Sequence, residues 1–558
     1  MQTLLLSLAL SFAAVSRQGA VAAPHPLASE AGAEVLRQGG NAADAAVAAA
    51  LALSVVENQS SGIGGGGFAL VWVAKEKRVH VLDFREVAPA AASRDMFLRD
   101  GKVEPLLSRQ GGLAVAVPGA VKGYAALARR FGKLPLARLA EPAARLAERG
   151  FTVRPRLARA ADEERPCLAA DAAAAGEFLV PGPGGERRAP LPDERLTRAD
   201  LARTLRSLGR DPERFYRGPL AERIAAAARA RGGLLTAADL AAYRVREREP
   251  LWGSYRGRRI ATMPLPSAGG ALLLGLLQAL EAEEPRAGGY RPVRFLHAFA
   301  EIERRLFAAR AGLLGDADFV PGAAQAVRDL VAPERAALLR AQVGERATPS
   351  SQIAAAGAAA PGGSHTSHLS VIDGEGNAVS MTTTVNTSFG ACVVVPGTGI
   401  LLNSQMDDFD AAPGAPNAYG LVGTGANAVA PGKVPLSSMA PSLLFDPEGR
   451  LVLAVGSPGG STIPSTVAQV ILHLVDDRMS LAEALGAPRI HHQWMPDAIQ
   501  AEPEALDAAT VAALQAMGHE VRWRRTPFGN PQAVARDPDT GLCTGASEPR
   551  LDGLPAVP

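Results

Sequence analysis

The chain has 558 residues, 47% of them hydrophobic, enough for a large buried core and, by length alone, roughly three or four domains. Its 58 basic and 56 acidic residues give a net charge of +2 with no long run of one sign, which argues against a nucleic-acid partner. The three cysteines, Cys167, Cys392 and Cys543, form no C-x-x-C pair and leave at least one thiol free, so they indicate neither a zinc site nor a disulfide framework.

At the N-terminus, the apolar run from Leu4 to Ala14 has signal-peptide length and ends at the small-x-small site Ala14-Val15-Ser16. Nothing basic precedes it, and Gln18-Gly19-Ala20-Val21-Ala22 already reads as a strand that a cut after Ala22 would damage. Residues 1–16 as a signal, with a periplasmic or secreted product, and an uncut cytoplasmic chain therefore both stay open. Asn41 caps a predicted helix whose third residue is Asp44, and Ala45 to Val56 is almost wholly apolar. At about 12 residues this segment is too short to span a bilayer and reads as a buried central helix. The glycine run Gly62 to Gly67 matches G-x-G-x-x-G formally but leads into a strand instead of opening a helix, the wrong context for a dinucleotide. A tight turn fits better.

Ala- and Arg-rich helical patterns fill residues 136–231 and 292–342 and predict an outer helical layer around strands. Residues 354–363, nearly all Ala and Gly, read as a flexible linker ending three residues before Thr366. A β-hairpin follows: Thr366 to Asp373, the turn Gly374-Glu375-Gly376-Asn377, then Ala378 to Asn386. Period-2 alternation puts Thr366, His368 and Ser370 on one face, with Leu369 and Val371 on the other. Pairing symmetric about Glu375 sets Thr384 opposite Thr366, although a shift by two residues would keep the faces matched as well. A polar face is also what an ordinary half-exposed hairpin presents.

Further along lie Asn403-Ser404-Gln405-Met406-Asp407-Asp408-Phe409, Pro435-Leu436-Ser437-Ser438-Met439 and Gly456-Ser457-Pro458-Gly459-Gly460-Ser461. Upstream are Gly39-Gly40-Asn41-Ala42-Ala43-Asp44, Asp83-Phe84-Arg85-Glu86 and Val117-Pro118-Gly119-Ala120-Val121. Downstream are Ala487-Pro488-Arg489-Ile490-His491-His492 and Gly545-Ala546-Ser547-Glu548-Pro549-Arg550. In this order the motifs closely resemble the gamma-glutamyltranspeptidase family from about Gln18 onward. The resemblance implies an α+β fold, the four-layer αββα sandwich of N-terminal nucleophile hydrolases, built from two subunits of one precursor: residues 17–365 and 366–558. It implies no cofactor, and a heterodimer of the two subunits acting on glutathione and related compounds, with water or amino acids and peptides as acceptors.

The chemistry fits those residues. A threonine whose own nitrogen becomes a free amine supplies both nucleophile and base, because an α-amine has a pKa of ~7.7–8.0. By resemblance, Thr366 attacks the carbonyl of His365 to free itself, then forms a γ-glutamyl ester, with Thr384 orienting its hydroxyl. Gly459-Gly460, between a strand and a helix, reads equally as a plain turn, a phosphate nest or an oxyanion hole, and only the resemblance selects the last. A glutamyl head needs a bidentate cation for its α-carboxylate and acceptors for its α-ammonium. Arg85 fits the first, although it could equally pair with Asp83 on a strand surface. The resemblance adds Ser437 and Ser438 to the carboxylate and assigns Asn386, Gln405 and Asp408 to the ammonium. The segment from Asp410 to Val434 resembles a lid loop, with Tyr419 as its gate. His491-His492 has no further ligands at metal spacing, so no metal is expected.

Two rivals remain: a glutaryl acylase of β-lactam side chains on the same fold, and an unprocessed, non-enzymatic homologue. A glutaryl group has no ammonium for Asp408 to meet, which favours a true glutamyl substrate.

Overall fold

The computed structural model describes residues 13–284, 291–354 and 365–558. The apolar run before Ala13 and most of the proposed linker, residues 355–363, lie outside the described residues. Asn41 caps the helix Ala42–Val56 (α1) through a capping box with Asp44, and every residue of that helix is buried. An all-apolar helix can be stable only when covered on every side. Here α1 lies between the helices Pro26–Arg37 and Leu136–Arg149 and one face of a sheet.

Two antiparallel sheets form the centre. The first has six strands: Gly19–Ala22 (β1), Gly66–Val73 (β2), Arg78–Asp83 (β3), Arg246–Arg248 (β4), Ser367–Asp373 (β5) and Ala378–Thr384 (β6), in the order β4-β3-β2-β6-β5-β1. The second has seven strands and includes Ser442–Phe445 (β7), Leu451–Gly456 (β8), Gln532–Arg536 (β9) and Cys543–Ser547 (β10). Its outer face carries the apolar helices Gly269–Leu280 and Ile463–Val475. The layers therefore run helix, sheet, sheet, helix.

Hairpin β5–β6 pairs Ser367 with Thr383 and Leu369 with Met381, so its register is symmetric about Glu375. Asp373 fixes the turn: its carboxylate accepts from Asn377 N and Nδ2, both at 2.9 Å, while Gly376 supplies φ 83°. The same carboxylate accepts from Ala42 N at 3.0 Å, tying the turn to the start of α1. The hydroxyl-rich face is not exposed. Both faces of β5 and β6 are buried, and the polar face meets the second sheet, where Ser380 Oγ donates to Val455 O at 3.0 Å and Ser370 Oγ to Gln532 O at 3.2 Å. Polar side chains are stable between two sheets when each finds a partner.

The cysteine expectation is corrected. Cys167 and Cys392 form a disulfide across 225 residues of sequence, and Cys543 is buried and free. Spacing rules detect local frameworks, and a bond closed by tertiary folding leaves no local pattern. At the N-terminus, Ala13–Ser16 pairs with β10 at the edge of the seven-stranded sheet, so part of the apolar run is built into the fold.

Candidate active site

The hairpin register delivers two hydroxyls to one point. Thr366 Oγ1 lies 3.1 Å from Thr384 Oγ1 and donates to the carbonyl oxygen of His365 at 2.7 Å. Thr384 Oγ1 lies 3.2 Å from the same carbonyl, so its one proton serves either that oxygen or Thr366 Oγ1, and it accepts from Asn386 N at 2.9 Å. Both threonines are buried. Among the described residues no histidine ring is hydrogen-bonded to either hydroxyl. The ring nitrogens of His368 are engaged by Thr382 Oγ1 and Ser370 Oγ, and burial pushes its pKa down to about 3. Desolvation, and then the charge of Arg156, push His365 down to about 4.

Thr366 and Thr384 open onto a pocket that also takes in Arg85, Asn386, Gln405, Asp408, Tyr419, Ser437, Ser438 and Gly460. Gly459 adjoins this lining without belonging to it. Arg85 is 2% exposed and forms an ion pair with Asp408, and Gln405 Nε2 donates to the same Asp408 Oδ2 at 2.7 Å. The alternative pairing with Asp83 does not occur through the guanidinium: only the backbone N of Arg85 bonds Asp83, whose other oxygen is taken by Arg248 at 2.8 Å. Burial raises the pKa of Asp408, opposed by Arg85. The groups expected to meet the two ends of an amino-acid head thus pair with each other across the pocket.

Asn386 has φ 78° and donates through Nδ2 to Ser404 O at 2.9 Å. Ser437 Oγ accepts from Met439 N at 3.0 Å, whereas the buried Ser438 Oγ has no hydrogen-bond partner among the described residues. Tyr419 closes the pocket by donating from Oη to Asn386 O at 2.8 Å. Gly460, at φ 57°, must be glycine on two counts, since a Cβ there would also lie 2.2 Å from the Tyr419 ring. The adjacent acids divide their work. Asp408 faces the pocket, while Asp407 accepts from Ser108 Oγ at 2.7 Å and from Ala418 N at 2.9 Å, anchoring the loop that carries Tyr419.

Two ionisable groups escaped the sequence reading. Arg310, on the helix Val293–Leu313, lines the pocket, and burial lowers its pKa against the pull of Asp410 and Asp408. It sits in a helix full of arginines, and nothing local distinguishes it. Among the described residues neither carboxyl oxygen of Glu86 has a hydrogen-bond partner, and burial pushes it up to about 8, toward the neutral form near pH 7. His491 and His492 are engaged in hydrogen bonds with Ser465, Gln493 and Arg304.

The profile of the family described as gamma-glutamyltranspeptidase matches residues 28–557. The glutathione hydrolase proenzyme of Escherichia coli K12 is 40% identical over 552 residues, covering 97% of this chain and 92% of that protein. The acylase ACY 1 proenzyme of Pseudomonas sp. V22 is likewise 40% identical, over 554 residues, covering 98% of this chain and 94% of its own. Among solved structures, cephalosporin acylase from Bacillus halodurans superposes with a TM-score of 0.84 at 32% identity, covering 98% of this chain and 96% of that one.

Proposed function

The chain belongs to the gamma-glutamyltranspeptidase family, and from that premise we propose that it is a self-processing gamma-glutamyltransferase and glutathione hydrolase with Thr366 as its nucleophile. The observation that carries this reading is that the Thr366 hydroxyl shares a buried pocket with Arg85 and Asp408. That combination suits a substrate bearing a carboxylate and an ammonium at one end and an acyl carbon at the other.

In the precursor, Thr366 Oγ1 attacks the carbonyl carbon of His365, the 365–366 C–N bond breaks, and the nitrogen takes the hydroxyl proton. Water then opens the ester, leaving a carboxylate on His365, a free amine on Thr366 and the hydroxyl restored. In the mature enzyme the amine accepts the hydroxyl proton as Oγ1 attacks the γ-amide, and passes it to the departing amine. Water or an acceptor amine then takes the γ-glutamyl group. The turn at Gly459-Gly460 supplies backbone donors toward the developing oxyanion. Asp408, Gln405 and Asn386 receive the α-ammonium, Arg85, Ser437 and Ser438 the α-carboxylate, and Tyr419 gates entry.

The disulfide joins Cys167 of residues 17–365 to Cys392 of residues 366–558, so the two subunits stay covalently linked after the cut. A cross-chain cystine belongs in an oxidising compartment, which supports export to a periplasm or the outside. Among the described residues no helix is long and apolar enough to cross a membrane.

Two assays test the reading. The purified enzyme should turn over a γ-glutamyl anilide at least about thirtyfold more efficiently than a glutaryl anilide, which lacks the ammonium for Asp408. The acylase relative and the acylase structure favour a second reading, and equal rates or a glutaryl preference would establish it. Separately, Thr384→Val is nearly isosteric but removes the hydroxyl 3.1 Å from Thr366 Oγ1. It should slow both maturation and kcat by at least about tenfold, within reach of one lost hydrogen bond. Unchanged rates in a protein with a normal thermal melt would remove Thr384 from the reaction.

A further inference from the structure

Ser367 directly follows the nucleophile, and the strand period turns its side chain away from the face of Thr366 and His368 toward α1. There its hydroxyl donates to Glu57 Oε2 at 2.8 Å and accepts from Ser61 Oγ at 3.0 Å. Glu57 is the C-cap of α1 and 3% exposed. Its other carboxylate oxygen pairs with Arg156, on the helix Pro155–Glu163, and Arg156 also reaches Ser60 Oγ at 3.4 Å. The carbonyl of Ser60 accepts from Val385 N at 3.2 Å. One buried cluster therefore grips the residue after Thr366 and the residue after Thr384.

A carboxylate is poorly placed for stability here. It sits at the negative end of a helix dipole, and burial raises its pKa against the opposing pull of Arg156. An apolar pair of similar volume would hold the helix end as well or better. What the carboxyl group supplies is a directional acceptor that fixes Ser367 in one rotamer, and what Arg156 supplies is a charged partner on the other oxygen that opposes the effect of burial.

We propose that Glu57, held on its other oxygen by Arg156, is a positioning residue that acts through Ser367 to hold Thr366 Oγ1 against the scissile carbonyl. The inference rests on the functional reading above and adds to it residues that contact neither substrate nor reacting atoms. The same clamp serves both reactions, since Ser367 keeps its place whether the carbonyl belongs to His365 or to a donor.

The test uses Ser367→Ala, Arg156→Met and the double variant Glu57→Gln/Arg156→Met, each checked by thermal melt. Maturation rate is measured with kcat and KM on a γ-glutamyl anilide. Ser367→Ala and Arg156→Met should each lower maturation rate and kcat by about tenfold, with KM within about twofold, because Arg85 and Asp408 are untouched. The double variant should be faster than Arg156→Met, because glutamine still accepts from Ser367 and needs no counter-ion. A merely structural role would give additive losses and a KM that rises as kcat falls, and either result overturns the proposal. So does a folded Ser367→Ala with unchanged kcat, which decides the matter alone if Arg156→Met does not fold. A wild type that neither self-cleaves nor turns over the anilide would instead defeat the functional reading, and this inference with it.

Discussion

Thr366→Ala should remain a single chain on a reducing denaturing gel and show no turnover of a γ-glutamyl anilide, a loss of roughly 10³-fold or more. One hydroxyl is asked to do two reactions, so its removal abolishes both. The fold should survive. Thr384 Oγ1 still donates to His365 O at 3.2 Å, and the pairing of Ser367 with Thr383 involves backbone only. The stability cost should be about 1–2 kcal/mol, that of the hydroxyl's contacts with His365 O and Thr384 Oγ1. A cut at the 365–366 bond in this variant would mean that cleavage is not autocatalytic, and a thermal melt on the same sample separates inactivity from unfolding.

Arg85→Ala and Asp408→Ala should each weaken kcat/KM on the anilide by roughly 2–5 kcal/mol, about thirtyfold to several-thousandfold. The two side chains are 1% and 11% exposed and pair with each other. Removing one strands the other in a desolvated pocket and also deletes a substrate contact. On the proposed reading, productive binding exchanges this internal pair for two external ones, ammonium on Asp408 and carboxylate on Arg85. Processing should continue in both variants, because neither residue bonds Thr366 or His365. Efficiency close to wild type in either would take that residue out of the glutamyl pocket.

The parts of the fold legible in the sequence are those set by local chemistry. Asn41 and Asp44 announce a helix start through capping, and Gly374 to Asn377 centres a hairpin whose faces follow from alternation, the structure choosing the symmetric register over a shift by two. That register alone brings Thr366 and Thr384 together. What stayed hidden depends on contacts between distant segments. Cys167 and Cys392 meet only after folding, Arg156 reaches Glu57 from a separate helix, and Arg310 is one of several arginines on its helix until the pocket singles it out. Asp407 and Asp408 are adjacent and chemically identical, yet one anchors a loop and the other faces the site. A short helical turn, Gln405–Asp408, points them apart, and no propensity rule reveals which faces which way.

The most direct measurement is a denaturing gel of purified wild-type protein, run with and without thiol, followed by N-terminal sequencing. With thiol, two chains should appear, and the smaller should begin Thr366-Ser367-His368-Leu369. Without thiol, the two should migrate as one species, held by the Cys167–Cys392 bond that spans the cut. Two separate chains in the absence of thiol would contradict the covalent link while leaving the nucleophile in place. A single uncut chain in the presence of thiol, or a small chain beginning at any residue other than Thr366, would contradict the account of Thr366 as an N-terminal nucleophile.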